Sequence, residues 1–135
     1  MNKQLTGLIV LVIAASISAC SSTGTIEPAE KSISVKVIKP AEAKEMLAGE
    51  NAPVLIDVRE PDEFKGGHIS GSINIPLSGV VEGVNALGLD KDSPFMVYCR
   101  SGRRSAEAAA ALLAAGYTDI YDLGGIIDWP YDTVN

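Results

Sequence analysis

The sequence predicts an α/β domain built on a mainly parallel sheet, and three observations lead there. Short runs of branched apolar residues alternate along the chain with segments of helical character, the pattern of consecutive β–α units. One run, residues 53–58, reads PVLIDV and is apolar nearly throughout, as a strand covered on both faces must be. The alternation begins only at about Ile33, after a polar stretch, so the domain is expected to span residues 33–135.

Each element has its own signal. Residues 33–38, ISVKVI, are rich in branched side chains and read as a strand. A helix over 40–48 follows, opened by Pro40, whose missing N–H costs nothing in a first turn, and stopped by Gly49. After the 53–58 strand we expect a polar turn running to Gly66-Gly67, then a short strand over 72–75 ended by Pro76. Residues 80–87 are weakly helical, and 95–98, preceded by Pro94, form another apolar strand. The clearest helix covers 103–115, with seven alanines and Gly116 just beyond its end. Alanine adds little bulk, so this helix can lie close to a sheet. Residues 120–123 read as the last strand, and Gly124-Gly125 lead to a short segment around Trp129. In sheets of this kind ligands sit beyond the carboxyl ends of strands, which is where Cys99 falls.

The first nineteen residues do not read as part of the domain. Lys3 is followed by an uncharged, largely apolar run over 5–17, too short to cross a bilayer as a helix, which needs roughly twenty residues. It reads as a signal peptide. It closes on Ile17-Ser18-Ala19-Cys20, which resembles the lipobox of bacterial lipoprotein precursors. That resemblance implies cleavage before Cys20, acylation of Cys20, and export to a membrane surface facing the periplasm. Ser21 after the lipidated cysteine resembles the signal for the outer membrane. Residues 20–32 are then a lipidated cysteine and a flexible polar tether, with a reach on the order of 20 Å for a dozen coil residues.

Cleavage removes Lys3 and no acid, so the formal charge of −6 becomes −7 in the mature chain. That balance argues against nucleic acid as a partner. Of the two cysteines, lipid consumes Cys20, which leaves Cys99 with no partner for an intramolecular disulfide. In an oxidising compartment such a thiol is a liability unless it is buried or used.

The segment Cys99-Arg100-Ser101-Gly102-Arg103-Arg104-Ser105 joins an apolar strand to the alanine-rich helix. A turn of this kind can curl its backbone N–H groups toward one centre, with glycine easing the bend and the helix N-terminus adding partial positive charge. Cysteines at helix N-termini beside cations are the reactive ones, so Cys99 is predicted to be a nucleophilic thiolate in an anion-binding cradle.

Beyond this loop, Asp57-Val58-Arg59-Glu60, Phe64, Gly67-His68-Ile69, Gly71, Asn74-Ile75-Pro76, Gly116-Tyr117, Leu123-Gly124-Gly125 and Trp129 occur in an order that resembles the rhodanese homology domain. The resemblance runs from about Ile33 to Trp129. It implies a three-layer domain with helices on both faces of the sheet, and transfer of sulfane sulfur from a donor such as thiosulfate to cyanide or a thiol through a Cys99 persulfide. It further implies that the backbone of Arg100, Ser101, Gly102, Arg103, Arg104 and Ser105 surrounds the persulfide. Arg100 and Arg104 are then the best candidates for attracting the anionic donor, and Arg103 the third. No metal or organic cofactor is expected.

Two other readings of the loop stand beside this one. A persulfide carrier would keep the cysteine without turnover. A cysteine phosphatase would use a similar cradle, but those enzymes resemble one another in an arginine six positions after the cysteine, and here that position holds Ser105 while Arg104 is fifth.

His68, the only histidine, is expected to be structural rather than a base. Asp57 and Arg59 are expected to pair and organise loops, and Trp129 to cap the core. Only a few residues follow Trp129, so less helical cover over part of the sheet is expected than the resemblance implies.

Overall fold

A computed structural model describes residues 33–135. The expected signal peptide, the Cys20 lipidation site and the tether lie outside the described residues. The described chain forms a five-stranded sheet, β1 (Ser34–Val37), β2 (Val54–Asp57), β3 (Ile73–Asn74), β4 (Phe95–Cys99) and β5 (Asp119–Gly125), in the order β1-β5-β4-β2-β3. All pairings between these strands are parallel. Four helices connect them: α1 (Pro40–Leu47), α2 (Pro61–Lys65), α3 (Val80–Ala86) and α4 (Arg103–Ala114).

The predicted α/β architecture is therefore what the chain adopts, and β4 sits at its centre with all five residues buried. Alternation along the strand divides those residues between two apolar layers. Phe95, Val97 and Cys99 join Ile56, Val58, Val84, Ala108, Ala109 and Leu112 on the α3–α4 side. Met96 and Tyr98 join Ile38, Ala43, Leu55 and Leu123 on the α1 side, with Ile126 and Trp129 packed against them. Trp129 thus caps the core as expected. The alanines of α4 make close approach to the sheet possible, and Ala108 and Ala109 are fully buried. Beside them Phe95 and Tyr117 meet edge to face, with ring centroids 5.3 Å apart, a favoured aromatic geometry.

Two segments depart from the sequence-based expectation. The polar turn after β2 contains α2, a single-turn helix with Pro61 at its start and a reciprocal capping box between Glu60 and Glu63. Five residues are too few to show a hydrophobic period, so only the cap could have announced it. The last strand is also longer than expected. It runs through Gly124 and Gly125, which pair with Tyr98 and Cys99 after a register shift at Val97/Tyr98. Glycine has no side chain to contribute to an apolar run, so hydrophobicity stopped short of the true end of β5.

Beyond β5 a short 3-10 turn (Ile126–Asp128) leads to a tail that returns to the loop after α2, where the backbones of Val134 and His68 exchange hydrogen bonds of 2.9 and 2.8 Å. His68 stacks on Phe64 at 3.7 Å and donates from Nδ1 to the Phe64 carbonyl at 3.0 Å. These contacts give it a structural role.

Candidate active site

Cys99 is the last residue of β4, at the carboxyl end of the central strand, and only 1% of its surface is exposed. The chain then turns sharply through Arg100 and Ser101 to Gly102, whose φ of +102° is the left-handed conformation that side-chain-bearing residues avoid. This bend brings the Gly102 N–H back to within 3.1 Å of Cys99 Sγ, to which it donates a hydrogen bond. Helix α4 begins at the next residue. Its first N–H groups, on Arg103, Arg104 and Ser105, have no acceptor within the helix, and with the helix dipole they supply partial positive charge where the loop closes.

The second wall of the turn is the end of β5. A Cβ on Gly125 would fall 2.5 Å from the Arg100 carbonyl oxygen and 2.7 Å from Ser101 Cα, so only glycine allows this approach. The Ile127 N–H donates to the Arg100 carbonyl at 3.2 Å, and the Gly124 N–H donates to Asp122 Oδ1 at 2.9 Å. Ser105 is buried, and its hydroxyl donates to the Gly102 carbonyl at 3.0 Å, with the Gly124 carbonyl 3.4 Å away. Ser105 therefore locks the turn against both walls.

The seven loop residues come together, but their side chains have different surroundings. Arg100 and Ser101 are exposed. Arg103 faces solvent with Nη1 2.6 Å from Glu107, one helical turn along. Arg104, expected to attract the anionic donor, instead places both terminal nitrogens on Glu63 of α2, at 2.7 and 2.8 Å. These bonds hold the Glu63 carboxyl down to about 2, with the Glu60 N–H contributing in the same direction and partial burial opposing. They also hold the Arg104 guanidinium above its ordinary value, against the opposing effect of partial burial.

Asp57 and Arg59 form the buried pair expected of them. Arg59 Nη2 lies 2.7 Å from Asp57 Oδ2 and donates to the Gly67 carbonyl at 2.8 Å, and Nε sits 3.0 Å from both carboxylate oxygens. Burial alone would lower the guanidinium's proton affinity, but the Asp57 bonds outweigh it and the net shift is upward. Asn74 Nδ2 donates to the carbonyls of Asp57 and Arg59 at 3.0 and 2.9 Å. The pair thus shapes the loops beside the site. A hollow of about 500 Å³ lies on the α1 face, lined in part by Lys44, Leu47, Ile69, Trp129 and Tyr131. No cysteine is among the residues that line it.

Residues 39–130 match the rhodanese-like domain family. This chain belongs to that family. Over 95 residues the rhodanese-like chain is 44% identical to the uncharacterized protein YqhL of Bacillus subtilis, covering 70% of this chain and 74% of that one. It is 41% identical over 73 residues to the thiosulfate sulfurtransferase PspE of Escherichia coli, covering 54% of this chain and 70% of PspE. Among solved structures it matches a rhodanese with anions from E. coli at a TM-score of 0.59 and 38% identity, over 62% of this chain and 99% of that one.

Two features of this rhodanese-like site escaped the sequence reading. Glu63 lay within the stretch expected to be a polar turn, and its partner Arg104 lies 41 positions away. Gly125 stood out only as half of a glycine pair, and its close approach to the loop depends on the β4–β5 register.

Proposed function

We propose that this chain is a thiosulfate-type sulfurtransferase in which Cys99 carries sulfane sulfur between a small anionic donor and a cyanide or thiol acceptor. The observation that supports the reading best is the Gly102 N–H directed at Cys99 Sγ from 3.1 Å, at the mouth of α4. Hydrogen bonding and a helix N-terminus both favour a sulfur anion there. A persulfide anion extends the same charge by one atom.

In the first half-reaction the Cys99 thiolate attacks the outer sulfur of thiosulfate. A bond forms between Sγ and that sulfur, the donor's S–S bond breaks, and its electron pair departs with sulfite. In the second half-reaction cyanide attacks the outer persulfide sulfur, thiocyanate leaves, and the thiolate is restored. Each step moves one sulfur atom and one electron pair, and no outside oxidant or reductant enters. The phosphatase alternative has less support, since the sixth position after Cys99 is Ser105, whose hydroxyl turns inward to the Gly102 carbonyl.

The test is direct. Incubation with thiosulfate should add one sulfur to the intact mass, and cyanide should remove it with release of thiocyanate. Cys99→Ser should do neither, and identical behaviour of the two proteins would overturn the assignment. A protein that loads sulfur but never releases it to an acceptor would be a carrier instead.

For the amino-terminal segment we infer acylation of Cys20 and retention on a bacterial membrane, facing the periplasm and, from Ser21, on the outer membrane. The support is the order of Lys3, the apolar run and the small residues before Cys20. Cys20→Ala should move the protein to the soluble fraction, and a variant still in the membrane pellet counts against lipidation.

A further inference from the structure

By sequence the turn after Cys99 carries three positive charges, on Arg100, Arg103 and Arg104. The fold cancels two of them. Arg103 pairs with Glu107 along the outer side of α4, and Arg104 forms a two-pronged ion pair with Glu63. Among the described residues no carboxylate pairs with Arg100, which is exposed.

Glu63 is more than a chance surface partner. Its Oε2, which accepts from Arg104 Nη1 at 2.7 Å, also accepts the Glu60 N–H at 3.1 Å. The capping box of α2 therefore holds the carboxylate in place independently of Arg104. The side chains of the pair are only 21% and 30% exposed, so the ion pair is partly buried rather than out in solvent. Both terminal nitrogens of the Arg104 guanidinium are thus engaged by a fixed negative charge.

We propose that Glu63 is a specificity-determining residue that, by neutralising Arg104, leaves Arg100 as the uncompensated side-chain cation at the mouth and so favours singly charged sulfur donors over doubly charged ones of the same shape. This rests on the sulfurtransferase reading above and extends it to a substrate class, thiosulfonates and persulfide anions in preference to thiosulfate. Each negative charge on a donor is drawn in by the net potential of the mouth. Lowering that potential by one charge weakens capture of a dianion more than capture of a monoanion.

The matched probes are thiosulfate and methanethiosulfonate, which differ by the exchange of one charged oxygen for a methyl group. With methanethiosulfonate, Cys99 Sγ bonds to the outer sulfur, the donor's S–S bond breaks, and the electron pair leaves with methanesulfinate. The readout is the ratio of kcat/KM for thiosulfate to that for methanethiosulfonate. Glu63→Gln should raise this ratio about two- to fivefold, the scale of a partly exposed ion pair, and the rise should shrink as salt is added. Arg104→Gln should lower the ratio. The double variant, which restores the net charge of the wild type, should return the ratio close to the wild-type value.

Loss of packing alone would change both donors together and could not produce opposite signs in the two single variants. Equal changes for both donors, or an unmoved ratio in Glu63→Gln, overturn the proposal. Should Glu63→Gln fail to fold, the order of wild type, Arg104→Gln and the double variant still decides it, and the proposal falls if the double variant is no better than Arg104→Gln. A wild-type protein that takes sulfur from neither donor overturns the sulfurtransferase reading itself, a result distinct from loading with an unmoved ratio.

Discussion

An alanine at Gly125 would put its Cβ 2.5 Å from the Arg100 carbonyl oxygen and 2.7 Å from Ser101 Cα. Ordinary contact begins near 3.4 Å, so the end of β5 and the cradle turn would have to separate by about 0.9 Å. Both contacts are backbone, and neither can swing aside as a side-chain tip would. Gly125 pairs with Cys99 in the sheet, so the displacement is expected in the turn that carries the Gly102 N–H. A misplacement of about 1 Å at a reacting group costs on the order of 10²-fold in rate, while overpacking typically costs about 1–3 kcal/mol in stability. We expect thiosulfate:cyanide kcat/KM to fall about 10- to 100-fold in Gly125→Ala. Its Tm should fall by about 4–8 °C for each kcal/mol lost from a domain of this size. Gly124→Ala is the control. Its φ of +82° makes alanine strained, yet no heavy atom lies within 4 Å of the added Cβ, so it should lose about 1–2 kcal/mol without pushing on the turn. A Gly125→Ala protein with wild-type turnover would refute the reasoning. So would one that loses no more activity than Gly124→Ala at comparable stability.

Three further outcomes follow from the contacts described. Asp57→Asn leaves the Arg59 guanidinium buried beside a neutral partner, and urea unfolding should show a loss of about 3–5 kcal/mol; a loss below about 1 kcal/mol would mean that Arg59 reaches water. Tyr98→Phe removes the hydroxyl that accepts the Ile69 N–H at 3.1 Å and meets Ser72 Oγ at 3.0 Å, so thermal melts should reveal a cost of about 1–3 kcal/mol. The third concerns pH. Because Arg104 holds the folded Glu63 carboxyl down to about 2 from an ordinary 4.5, its stabilisation is complete above about pH 4.5 and is lost as pH falls toward 2. The Tm advantage of wild type over Glu63→Gln should therefore narrow across that window, and an advantage unchanged from about pH 6 to pH 2 would show that the ion pair contributes nothing to the fold.

How much could be read in advance depended on where each signal resides. β2 and β4 were legible because parallel strands buried on both faces must be apolar along their length, and α4 because alanine and a terminal glycine mark a helix locally. Cys99 and its loop were legible for the same reason: strand, turn, glycine and helix start are contiguous. The short α2 was not, since one turn of helix has no period and its stability comes from a cap at Glu60 and from Arg104 across the site. The extent of β5 was hidden because glycines pair through backbone alone.

By itself, the amino-acid sequence determined the alternating elements, the sheet's buried centre and the placing of one thiol at a strand-to-helix turn, because each depends on neighbours within a few positions. Only the tertiary structure decided the electrostatics of that turn. Three arginines within five positions promise a strongly cationic mouth, but charge is set by whatever is nearest in space, and α2 brings Glu63 to Arg104 from 41 residues away. Likewise only the β4–β5 register sets Gly125 against Arg100 and Ser101, because contact between two backbones leaves no mark in side-chain chemistry.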